Sequence, residues 1–84
     1  PDARVLKNIQ TKKPKYSKSV QQKLNKNIID TLTLHNIFKN ADINFSKSDT
    51  KSFPCKTYFV EGEKYEMVVE NCPKFVEIKT LIIL

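Results

Sequence analysis

The stretch CKTYFVEGEKYEMVVE, residues 55–70, decides the fold. Apolar and polar residues alternate with a period of two on both sides of Glu61-Gly62-Glu63, the pattern of a β-hairpin. A tight turn at Glu61-Gly62 sets Val60 opposite Glu63, Tyr58 opposite Tyr65 and Lys56 opposite Met67. In that pairing Tyr58, Val60, Tyr65, Met67 and Val69 share one face. Gly62, the only glycine, falls where the turn calls for a positive φ.

Beyond the hairpin, Asn71-Cys72-Pro73-Lys74 makes a second turn and FVEIKTLIIL, residues 75–84, a last strand. Alternation points Val76, Ile78, Ile82 and Leu84 inward and Glu77 and Lys79 outward. Thr80 then interrupts the inward apolar row.

Upstream of Phe53 the period lengthens. DARVLKNIQ, residues 2–10, reads as a short helix capped by Asp2, with Val5, Leu6 and Ile9 on one face. TKKPK, residues 11–15, breaks it, because Pro14 disfavours helix at Lys13; a basic linker is expected. SKSVQQKLNKN, residues 17–27, reads as a second helix capped at Ser17 or Ser19, with Val20 and Leu24 as a narrow stripe. Asp30 caps a third helix near 31–40, whose Leu34, Ile37 and Phe38 lead the strongest helical pattern in the chain. NFSKSDTKS, residues 44–52, reads as a polar loop. The expected architecture is one α+β domain over residues 1–84: two or three N-terminal helices within 1–43, then an antiparallel sheet of three to four strands within 53–84.

The 84 residues allow one modest core. No apolar run reaches the roughly 20 residues of a membrane span. Residue 1 is Pro1 rather than Met, which fits a module cut from a longer protein. Cys55 and Cys72 leave one bridge open, but two buried thiols are the simpler expectation, with a reducing, cytoplasmic site of action. No Cys/His spacing for zinc is present, so neither metal nor cofactor is expected.

Charge is more informative. Residues 1–26 carry eight Lys or Arg against Asp2 alone, a local +7 beside a whole-chain +6. Such a concentration attracts polyanions, although a solvated, solubilising surface reads the same way. Lys12, Lys13, Lys15, Lys18 and Lys39 are the candidate phosphate contacts. Gly-rich phosphate loops, nucleophile elbows and paired carboxylates are absent, which sets most enzyme classes aside. RNA cleavage by a positioned lysine and hydroxyl stays feasible, since the substrate supplies its own 2′-hydroxyl. Its candidate residues are Lys23, Lys51, His35, Tyr58 and Thr80. Bland readings stand beside them: a surface histidine, a packed tyrosine, a strand threonine.

The order YSKSVQQKLNKNIID (16–30), TLTLHNIFKN (31–40), YFV-EG-E, YEMVVE and VEIKTLIIL resembles the colicin-D/RelE-like ribonuclease toxin superfamily. It looks closest to a small subgroup of that superfamily: Lys23 matches the subgroup's basic helix residue, Ile29-Asp30 its step into the next helix and Thr80 its last-strand threonine; Ser19 stands where the subgroup has histidine. The resemblance implies cleavage of RNA, often tRNA, by a domain delivered at the end of a larger secreted protein or paired with an inhibitor (immunity) protein. The alternatives are a non-catalytic nucleic-acid-binding module, which needs the lysines but no aligned hydroxyl, and a small protein-interaction or inhibitor domain.

Overall fold

The structure, a computed structural model, describes residues 2–84. Three helices precede most of a five-stranded mixed sheet. The elements are α1 (Asp2–Gln10), β1 (Lys13–Tyr16), α2 (Lys18–Asn25), α3 (Thr31–Asn40), β2 (Asp42–Asp49), β3 (Lys56–Glu61), β4 (Tyr65–Asn71) and β5 (Phe75–Ile83). Strand order is β1-β5-β4-β3-β2, with β1 parallel to β5 and every other pairing antiparallel.

The helices form where local chemistry directs them. Ser17 caps α2 by accepting from the Val20 N–H, and Asp30 caps α3 by accepting from the Thr33 N–H. α2 ends in a Schellman arrangement: Asn27 takes φ 59°, its N–H reaches the Leu24 carbonyl, and the Ile28 N–H reaches the Lys23 carbonyl. Leu6 and Ile9 of α1, Val20 of α2, and Leu34 and Phe38 of α3 join Ile43, Tyr58, Val60, Met67, Val69, Val76, Ile78 and Leu81 in one core. All three helices therefore cover the same face of the sheet, and the other face is left open.

Two segments expected to be irregular are strands. Residues 13–16 form β1 rather than part of a linker. Proline is barred from a helix interior but not from a sheet edge. The Ser17 N–H donates to the Ile78 carbonyl, so by alternation the nitrogen of Pro14 faces the free edge, where a missing N–H costs nothing. Lysines flanking that proline protect the edge from further pairing. Residues 42–49 form β2, the other edge, rather than a loop from 44. Its pairing with β3 breaks between Asn44 and Asp49. There the Ser48 hydroxyl accepts from the Phe59 N–H and donates to the Asn44 carbonyl. A polar edge strand that buries only Ile43 carries no apolar alternation to read.

The hairpin has the expected faces but a different register. Val60 pairs with Met67, Tyr58 with Val69 and Lys56 with Asn71. The loop is longer than a two-residue turn, with the Gly62 N–H donating to the Tyr65 carbonyl. Gly62 does not adopt a positive φ. Its role is proximity: a Cβ there would lie 3.3 Å from the Ile37 side chain, a tight contact, and 3.4 Å from the Tyr65 carbonyl. The corrected register carries Cys55 and Cys72 opposite one another just past the last pair. They form a disulfide, with Cα atoms 4.2 Å apart, in place of two thiols.

The inward row of β5 also departs from simple alternation. Val68 pairs with Thr80 and Val69 with Ile78, so Lys79 is bulged out. The bulge moves Leu81 inward and turns Thr80 and Ile82 to the open face; Leu84 is exposed as well. The Ser17 hydroxyl secures the bulge by donating to the Lys79 carbonyl at 2.7 Å.

Replacing Cys55 and Cys72 with serine releases a cross-link spanning 17 residues, expected to cost about 3 kcal/mol. Urea unfolding of oxidised wild type and the double variant measures the loss.

Candidate nucleic-acid interface

The sheet's open face carries facing glutamates across its central strands and lysines at its margins. Glu61 sits opposite Glu66, and Glu70 opposite Glu77. Only Glu77 has a lysine partner among the described residues, Lys79 at 3.6 Å. Like charges facing each other across strands raise the local negative potential. Thr80 lies on this face in the row Phe59–Val68–Thr80, between the two glutamate rows. Its hydroxyl accepts from the Val68 N–H at 3.2 Å. Lys15 and Lys47 at the margins lie over the rings of Phe75 and Phe59, at 4.0 and 4.8 Å from the centroids.

The five proposed catalytic residues do not converge. Tyr58 projects inward and Thr80 outward. Tyr16, Ile78, Val69 and Tyr58 form one inward row across β1, β5, β4 and β3. Tyr16 lies three strand spacings, about 14 Å, from Tyr58 along that row, and His35 of α3 meets the Tyr16 end. Its Nε2 lies 2.7 Å from the Tyr16 hydroxyl, and its ring packs beside Phe38. Burial holds His35 below its ordinary pKa and raises Tyr16, so both are neutral near pH 7. Lys23 lies on α2, which packs against β5 and β1. Lys51 is exposed in the loop after β2, where its N–H donates to the Asp49 carboxylate. Lys13, Lys15 and Lys18 are exposed around β1 and the start of α2, and Lys39 is exposed in the last turn of α3.

Two residues singled out in the sequence do meet. Lys12 and Tyr58 line one cavity of about 370 Å³, together with Asn8, Phe53, Pro54, Lys56, Asn71, Cys72 and Pro73. It opens where α1 ends, β3 begins and β4 turns into β5. Lys12 Nζ donates to Asn71 Oδ1 at 2.8 Å and to the Cys72 carbonyl at 2.7 Å. Both acceptors are neutral, so its charge is not cancelled and one of its three N–H groups remains free. Asn71 Nδ2 donates to Asn8 Oδ1 at 3.1 Å. Each side-chain amide oxygen of this group thus accepts one internal bond, while N–H groups of Asn8, Asn71 and Lys12 are left over. Lys56 adds a second cation. A cavity with spare donors and two lysines suits an anion. Burial raises the Tyr58 pKa, which keeps the phenol protonated as a hydrogen-bond donor.

Lys56, Phe53 and the paired asparagines were missed from the sequence. The available signal was the pair of turn segments Phe53-Pro54-Cys55 and Asn71-Cys72-Pro73, each coupling a cysteine to a proline. The metal-ligand grouping found among the described residues, Cys55, Glu70 and Cys72, has both sulfurs spent in the disulfide and supplies no thiolate.

Because folding depresses the His35 pKa, the unfolded chain binds more protons in the acidic range. The stability owed to neutral His35 is fully present above the unfolded pKa near 6.5 and is lost as pH falls through the lower folded value. Urea unfolding at pH 7.5 and 5.0 is expected to show this loss in wild type and a smaller one in His35→Gln.

No family model, curated protein or solved structure matches the chain.

Proposed function

We propose that this domain binds RNA by gripping its phosphate backbone at the cavity between α1 and the Cys55–Cys72 disulfide. The observation that carries the reading is the donor set: Lys12 and Lys56 stand with two asparagines whose oxygens each already accept an internal bond. Lys12 lies within the strongly basic first third of the chain, which supplies long-range attraction. The open sheet face carries two facing glutamate pairs, whereas the groups lining the cavity include two lysines and no carboxylate. Among the described residues no helix is long and apolar enough to cross a membrane.

Binding is measured by fluorescence anisotropy with a fluorescein-labelled U12 oligonucleotide over a salt series. The plot of log K against log salt is expected to be steep. Lys56→Gln and Lys12→Gln are each expected to weaken binding and to reduce the slope by about 1. Lys12 also braces the β4–β5 turn, so Lys56→Gln is the cleaner variant. An affinity unaffected by salt and by both variants rejects the reading.

A second reading is RNA cleavage, in keeping with the resemblance to ribonuclease toxins. One observation favours it: Tyr58, protonated and buried on its ring, lines the cavity that holds the two lysines. In this reading the substrate's 2′-hydroxyl attacks the phosphorus and gives its proton to solvent water, Lys12 and Lys56 stabilise charge on the phosphate, and the Tyr58 phenol protonates the departing oxygen and is reprotonated from solvent. An inhibitor partner belongs to the same reading. Incubation with total tRNA in EDTA is expected to give discrete fragments that Tyr58→Phe abolishes and Thr80→Ala leaves unchanged. Binding without fragments leaves the domain a binding module.

A further inference from the structure

We infer that Phe53 is a base-stacking platform that makes the cavity selective for unpaired nucleotides over duplex, an inference resting on the backbone-binding reading above. Phe53 is 88% exposed, more than any other large hydrophobic residue described. An aromatic ring in water gains nothing from burial, yet this one is held on a constrained segment. The Asp49 carboxylate accepts from the Lys51 and Ser52 N–H groups and from the Ser52 hydroxyl. On the other side Pro54 fixes its own φ, and Cys55 is bonded to Cys72. The backbone that carries the ring is thus tethered on both sides, which lowers the ordering cost when a flat partner lands on it.

The ring's position identifies that partner. Phe53 lines the same cavity as Lys12, Lys56 and Asn71, so a flat apolar face and two phosphate-attracting cations lie within one nucleotide-sized space. Bases in a duplex have both faces occupied by their neighbours and cannot offer one to Phe53, whereas an unpaired base can. Lysines alone bind either form. Phe53 converts a charge-driven grip into a preference for single strands, and stacking is tolerant of base identity, so little sequence preference follows.

The test compares fluorescein-labelled U12 with a 12-base-pair RNA duplex carrying the same label. Wild type is expected to bind U12 more tightly. Phe53→Ala is expected to weaken U12 binding by about tenfold and to change duplex binding by less than twofold. Thermal unfolding of the variant checks the fold, which an exposed side chain supports little. Phe53→Trp is expected to retain U12 binding and, since the chain has no tryptophan, to report stacking directly through quenching of its fluorescence. Equal losses on both probes, no loss on U12, or an unquenched tryptophan overturns the platform while leaving backbone binding intact. Failure of wild type to bind either probe overturns the backbone reading and the platform with it.

Discussion

The antiparallel pairing of β3 with β4, with Lys56 opposite Asn71, is the constraint on which the rest of the structure depends. It places Cys55 across from Cys72, within bonding reach. It also sets Met67, Val69, Tyr58 and Val60 in adjacent inward positions, where α1, α2 and α3 converge on them. The turn after β4 is then close enough for Lys12 to reach both Asn71 and the Cys72 carbonyl, which ties the end of α1 to the end of the hairpin. A slip of the pairing would separate the cysteines and dismantle the cavity while leaving each strand's alternation intact.

The sheet separates charge as well as layers. One face is sealed by helices, and the open face is lined across its central strands by Glu61, Glu66, Glu70 and Glu77. The lysines of β1 and the start of α2 gather instead along the opposite edge of the sheet from β2. A chain with a net charge of +6 thus presents polyanions with an asymmetric surface rather than a uniform field. The same lysines protect an edge strand, so part of the basic composition serves solubility and pairing control, and the net charge overstates the number of groups free for a ligand. Lys12 shows both uses in one side chain: two of its donors brace a turn, and its charge remains open to the cavity.

Neutrality of the Tyr16–His35 pair follows from the same layering. Both residues sit on the helix side of the sheet at the β1 end of the inward row, where desolvation disfavours their charged forms. A histidine kept neutral against a phenol at this depth ties α3 to β1. It does not line the cavity that holds Lys12 and Lys56.

Features that depend on neighbours in sequence were legible from sequence alone. The three helices, with caps at Ser17 and Asp30, follow from side chains bonding to amides within one turn. The inward faces of β3 and β4 follow from a period of two. The error in hairpin pairing kept those faces because it shifted register by an even number of residues. Properties set by residues far apart were decided only in three dimensions. Polar β2 and proline-bearing β1 become strands because a neighbouring strand presents a free edge, and nothing local announces that. Thr80 turns outward because Ser17, 62 residues before the bulged Lys79, holds that residue's carbonyl. The disulfide, the Lys12 bonds and the Phe53 cavity were hidden for one reason: register fixes them, register depends on loop length and packing against Ile37, and side-chain alternation is the same in every even register.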